Sequence, residues 1–130
     1  MDEGERVIRD IWRRWNDGER SPEAIDVDPG IEIHSALAKN VYAGRDGLLS
    51  WIGEIDEQFE SWELGIDEAR ALGPEAYILH GSIRARGRTS GVDLDQAASW
   101  LVDLRDGRLL RIRNFIGQAA RDAAESVART

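Results

Sequence analysis

The sequence predicts an α+β domain in which helices cover one face of an antiparallel sheet, and three observations carry this reading. From Ala76 to Ile116, apolar residues alternate with charged ones through consecutive runs, the period-2 pattern of strands with a single buried face. Asp106-Gly107 stands between two of these runs, and it is a dipeptide suited to a tight hairpin, because both central residues of a type I′ turn need positive φ. Before and after the sheet, apolar residues recur at three- and four-residue spacing, as in helices with one buried stripe.

The elements follow in order. Val7, Ile8, Ile11, Trp12 and Trp15 form a stripe opposed by Glu5, Arg9, Asp10, Arg13 and Arg14. Asn16-Asp17-Gly18 stops this helix, with glycine supplying a left-handed cap. Ser21-Pro22-Glu23 reads as the N-cap, first-turn proline and dipole-facing acid of a short second helix, which ends at Asp28-Pro29-Gly30. Ile31 to Ser35 alternates as a short strand. A loop holding Tyr42 leads to Gly44-Arg45-Asp46-Gly47, where Asp46 is placed to cap a third helix with Leu48, Trp51, Ile52, Ile55 and Phe59 on its stripe. A strand from Trp62 to Leu72 turns back at Gly73-Pro74.

In the next hairpin, a tip at Thr89-Ser90 sets Arg86 opposite Asp93 and Arg84 opposite Asp95. Two opposite-charge pairs on one face fix the register. Leu94, Gln96, Ala98, Trp100, Val102 and Leu104 then share the other face with Tyr77, Leu79, Ile83 and Ala85. The Asp106-Gly107 tip, carried on as a regular ladder, places Leu109, Arg111, Arg113 and Phe115 on the Trp100 face. Leu110, Ile112, Asn114 and Ile116 point the opposite way. Gln118 to Arg129, rich in Ala and Arg, predicts a final helix.

At 130 residues the chain has the length of one ordinary domain, and 1–130 is read as one unit without repeat or linker. Five Trp supply much of its core. A net charge of −8 argues against nucleic acid and anionic membrane surfaces as partners, since both favour basic patches. No Cys is present, which excludes a disulfide framework, a thiolate nucleophile and a zinc–thiolate site. The acidic start lacks the layout of a signal peptide, and no apolar run is long enough to span a bilayer. The expected location is therefore cytoplasmic. No cofactor is expected, because no phosphate-binding glycine loop, dinucleotide fingerprint or Gly-x-Ser-x-Gly elbow occurs, and no pair of histidines has ligand spacing.

The order of elements resembles the nuclear transport factor 2-like superfamily, and within it the SnoaL-like polyketide cyclase group. The resemblance rests on Trp15-Asn16-Asp17-Gly18, Ile31-Glu32-Ile33-His34, Val41 to Gly47, Ser90 to Leu94, and Leu104 to Leu109, and it covers nearly the full chain. It implies a cone-shaped α+β fold: a curved antiparallel sheet wrapped around N-terminal helices, an enclosed pocket, and here a C-terminal helix. It also implies where chemistry would sit. Isomerase-type members carry a tyrosine where this chain has Ile11 or Trp12, a general base at the position of Ser35, and a second acid or histidine at that of Trp100. A hydroxyl and an indole do not exchange protons usefully near neutral pH. Ketosteroid-isomerase chemistry is accordingly not expected.

The expected pocket lining is Trp12, Trp15, Ser35, Tyr42, Gln96, Trp100, Arg111 and Arg113. The two arginines would receive a substrate carboxylate, enolate or phosphate, or else pair structurally with an acid such as Glu68 or be turned to solvent by a bulge. If the pocket is catalytic, Arg111 and Arg113 would stabilise an oxyanion and water or His34 would move protons. His80 falls on the opposite face in a structural or surface role. Two functions stay open. One is a pocket protein for a small ring-containing or anionic molecule, acting as a lyase, isomerase, hydrolase or binder; the other is a non-catalytic dimeric scaffold. Leu110, Ile112, Ile116, Ile78 and Leu101 would form an apolar patch on the convex face, through which a homodimer is expected.

Overall fold

A computed structural model describes residues 2–20, 25–36 and 40–130. Its elements are α1 (Glu3–Asn16), β1 (Val27–Ser35), β2 (Asn40–Ala43), α2 (Gly44–Gln58), β3 (Phe59–Gly73), β4 (Ala76–Gly87), β5 (Asp93–Arg105), β6 (Arg108–Ile116) and α3 (Ala120–Ala128). The strands form one six-stranded sheet in the order β2-β1-β6-β5-β4-β3. It is mixed, not wholly antiparallel, because β1 runs parallel to β6. None of the described helices is long and apolar enough to cross a membrane.

Helix α1 starts where Asp2 accepts a hydrogen bond from the Glu5 amide at 2.8 Å. It ends at Asn16, with Gly18 at φ 91 just beyond. Ile8, Ile11, Trp12 and Trp15 are its buried stripe. The helix expected at Ser21-Pro22-Glu23 lies outside the described residues, and β1 begins earlier than expected, at Val27. Asp28-Pro29-Gly30 interrupts its register inside the strand, where Asp28 accepts from the Gly30 amide and from Arg105 at 2.7 Å. Helix α2 buries Leu48, Trp51, Ile52 and Ile55 as the spacing predicts, but its N-cap is Ala43, with Asp46 within the first turn.

The β4–β5 register is the expected one, with Arg86 opposite Asp93 and Arg84 opposite Asp95. The tip is longer than two residues. The Gly87 amide donates to the Val92 carbonyl, and Gly91 takes φ 66 within the loop. At Gly81 an added Cβ would stand 1.9 Å from the Gly65 carbonyl oxygen, so β3 and β4 approach there only because the side chain is absent.

Asp106 and Gly107 take φ 52 and 76, as the type I′ reading requires. The ladder does not continue regularly. Leu104 faces Leu109 but Asp103 faces Arg111, so Leu110 is an extra residue and every later side chain changes face. Leu109 and Ile112 are buried in the main core, and Arg111 and Arg113 stand on the opposite face, where Arg111 reaches Asp103 at 2.9 Å. The expectation that Arg111, Arg113 and Phe115 share the Trp100 face is thus overturned. A regular ladder would have put two guanidinium groups into the core, each costing several kcal/mol to desolvate, on the order found for buried ions.

One face of the sheet packs with α1 and α2 around the large core. The other carries a smaller cluster in which Ile78 and Leu101 are buried with Ala124 of α3, flanked by Phe115, Val127 and Ala128. The convex patch expected from Ile78, Leu101, Leu110, Ile112 and Ile116 is therefore divided. The first two lie beneath the chain's own C-terminal helix, while Ile112 and Ile116 pack with the main core. Two-fold pairing is left without the patch that suggested it.

Polar contacts also hold α3. Buried His80 has Nδ1 2.7 Å from the Ser99 hydroxyl and Nε2 2.8 Å from Glu125, and Arg70 donates to the same carboxylate at 2.6 Å. Hydrogen bonds from Arg70 first, and from His80 second, lower the Glu125 carboxyl to about 2. Arg121 pairs with Glu68 at 3.0 Å, so Glu68 serves α3 and not Arg111 or Arg113.

Candidate functional site

Between the inner sheet face and α2 lies a mostly enclosed cavity of about 30 Å³, walled by Trp15, Trp51, Trp62 and Trp100 together with Phe59 and aliphatic residues of the sheet. That volume holds about two water molecules, by the rule that one needs roughly 10–15 Å³. Trp15 arrives on the last turn of α1 and Trp51 on the buried stripe of α2. Trp62 comes from β3 and Trp100 from the inward set of β5. Strand alternation brings Ile33 and Ser35 in from β1, and the Leu110 bulge brings Ile112 and Asn114 in from β6.

All five tryptophans join in one run of ring contacts. Trp100 meets Trp12 edge-on at 5.7 Å, Trp12 meets Trp15 at 5.2 Å, Trp15 meets Trp51 at 5.7 Å, and Trp51 meets Trp62 at 6.1 Å. Tilted and edge-on arrangements at these separations are favourable for quadrupolar rings. The indole N–H groups of Trp12, Trp15 and Trp51 are buried without a hydrogen-bond partner. The Trp62 N–H donates to Asp56 at 3.0 Å. Asn114 donates its amide to the backbone oxygens of Ser99 and Phe115.

No ionisable side chain is present among the described residues that line the cavity. Of the expected lining, Trp15, Ser35 and Trp100 are there. Trp12 is buried behind Trp100 and faces an outer depression instead. Tyr42 is buried nearby but its hydroxyl donates to Glu54, which raises its pKa, and it does not line the cavity. Gln96 is exposed. Arg111 and Arg113 are on the other face of the sheet, and His34 points outward to Glu32 at 3.0 Å. Burial, and after it the neighbouring Arg111 charge, lowers the Arg113 pKa, and its Nε has no partner. Among the described residues, no group of three or more His, Asp or Glu is placed to hold a metal ion.

Sequence reasoning missed Trp51, Trp62 and Asn114 as cavity residues. The spacing places Trp51 on the core stripe of α2, where it is found, but a stripe does not say which of its members borders a void. A regular ladder puts Asn114 on the outer face, and the bulge at Leu110 brings it to the Trp100 face.

No family model matches the chain, and no curated protein matches it in sequence. Solved structures do match. An NTF2-like protein of unknown function from Burkholderia pseudomallei superposes with a TM-score of 0.78 at 13% identity, covering 95% of this chain and 98% of that one. TerC, co-crystallised with polyporic acid, gives 0.76 at 13% identity, covering 99% and 100%. A candidate SnoaL-like polyketide cyclase from Jannaschia sp. gives 0.73 at 17%, covering 94% and 90%. What is shared at such identities is the fold: the chain adopts the cone-shaped α+β architecture of NTF2-like, SnoaL-like proteins.

Proposed function

We propose that this chain binds a small ring compound in its tryptophan-walled cavity and performs no proton-transfer chemistry on it. The observation that carries the reading is the lining itself. Positions that the family resemblance associates with a general base and a second acid are Ser35 and Trp100, and both border a cavity without an ionisable group among its described residues. Aromatic walls with few polar groups suit a flat apolar ligand. The TerC structure, similar in fold, was obtained with polyporic acid, which supports ring compounds as the class to try first.

The cavity volume of about 30 Å³, against the roughly 300–1,000 Å³ usual for ligand sites, favours a second reading, a non-catalytic scaffold whose interior is filled by its own indoles. Titration with a panel of polyketide, steroid and aromatic-acid compounds, followed by tryptophan fluorescence and product analysis, separates these readings. Saturable quenching with unchanged ligand is the expected result. Turnover of a bound compound would refute the non-catalytic assignment, and absence of binding across the panel would leave the scaffold.

A further inference from the structure

The wall that closes the cavity is held differently from the rest of it. Trp62 and Ala85 border both the enclosed cavity and an open polar groove of about 490 Å³, which Arg84, Asp95 and Asn16 also line. Of the two shared residues, only Trp62 has a side chain large enough to act as a partition. Its ring is secured from outside by side chains. Asp56 accepts its N–H at 3.0 Å, and the Arg20 guanidinium lies 4.0 Å from the ring centroid. Arg20 is fixed in turn by the same Asp56 oxygen at 2.9 Å and by the Trp15 carbonyl at 2.9 Å.

We propose that Trp62 is a movable wall, and that its outward rotation joins the cavity and the groove into one cleft for a planar aromatic molecule with a polar end. The ring would take the place of the Trp62 indole beside Trp51, and the polar end would reach the groove near Arg84 and Asp95. The inference rests on the ligand-binding reading above and deepens it. Opening leaves no buried polar group stranded. The Trp62 N–H moves toward water, and Asp56 keeps its ion pair with Arg20. Arg84 and Asp95 are free to reorganise, since they stand 3.6 Å apart and both side chains are largely exposed. Trp15 and Trp51 border the cavity but not the groove.

The test uses Arg20→Gln, which removes the cation over the ring, and Trp62→Ala, which removes the wall. Two readouts are taken on the full chain: the association rate of 2-naphthol by stopped-flow fluorescence, and solvent exchange of the Trp15 and Trp51 indole protons by NMR. Arg20→Gln is expected to accelerate both by about tenfold, the scale of a lost cation–π contact at a partly buried site. Trp62→Ala is expected to accelerate association further, and adding Arg20→Gln to it should change nothing. Wild-type association and exchange rates in Arg20→Gln would overturn the movable wall while leaving ligand binding intact. If 2-naphthol binds no variant, the ligand reading fails and indole exchange alone decides the wall: acceleration sustains its motion, and no change overturns it.

Discussion

Replacing Glu125 with glutamine removes the charge that holds α3 to the sheet while keeping the shape and an acceptor for His80. A carboxyl held at about 2 instead of 4.5 sets an upper bound of about 3 kcal/mol on its contribution at neutral pH. The Glu125 side chain is 21% exposed and that of Arg70 is 54% exposed, so solvent screening brings the expected loss to about 1–2 kcal/mol. The folded-state pKa is depressed, so the unfolded chain takes up the proton first as pH falls. The contribution is complete above 4.5, declines below it, and is gone near 2. Urea denaturation of both proteins across this range is the assay. The wild type should be more stable near neutral pH, and the two curves should converge on acidification. The Arg121–Glu68 pair is common to both proteins, so its own titration cancels to first order. A difference that persists unchanged at pH near 2, or none at neutral pH, would refute the charge-based account of α3 docking.

Two further substitutions probe how the frame is built. The Asn16 side chain accepts from the Leu64 amide at 2.9 Å and donates to the Leu64 carbonyl at 2.9 Å, tying the end of α1 to β3. Asn16→Ala should therefore cost about 1–3 kcal/mol in urea denaturation, because both backbone groups lose their partner; an unchanged midpoint would show that water replaces the amide without cost. Deleting Leu110, the extra residue, should leave a regular β5–β6 ladder in which Arg111 still faces Asp103 and Ile112 still faces Val102. The deletion variant is expected to keep its near-ultraviolet tryptophan circular dichroism and cooperative unfolding, as is Leu110→Ala. A deletion variant that loses both would disprove the assignment of Leu110 as the residue left over by the ladder.

Most of the frame was legible because its signals are local or strictly periodic. The stripe of α1, the stripe of α2, the Arg86–Asp93 and Arg84–Asp95 pairs and the positive φ of Asp106 and Gly107 each follow from spacing or from one residue's conformational preference. The parallel pairing of β1 with β6 has no such signature, since these strands are joined through most of the chain and only tertiary packing selects their neighbours. The bulge was ambiguous for another reason. Leu109 and Leu110 are adjacent and both apolar, so hydrophobicity alone does not say which begins the inward series. Charge does: starting the inward series anew after Leu110 keeps Ile112 inside and both arginines out, at the cost of one unpaired residue in the ladder. The cavity was legible only in part, since its walls come from α1, α2, β1, β3, β4, β5 and β6 and its existence depends on how five indoles fit together.

That single extra residue also decides what chemistry the interior offers. With a regular ladder the concave face would present two guanidinium groups beside Trp100, a site for an anion. With the bulge it presents Ile112 and Asn114, and Arg111 is spent on Asp103. A general base needs a lone pair whose proton affinity matches the working pH, and neither the Ser35 hydroxyl nor the Trp100 indole meets that need. The nearby carboxylates are engaged from outside the cavity: Asp56 holds Trp62 and Arg20, and Glu54 holds Tyr42. Each therefore fixes the position of an aromatic ring, and neither borders the cavity where a bound molecule would sit. Among the described residues, then, the cavity is lined by aromatic, aliphatic and neutral polar side chains, without an ionisable group.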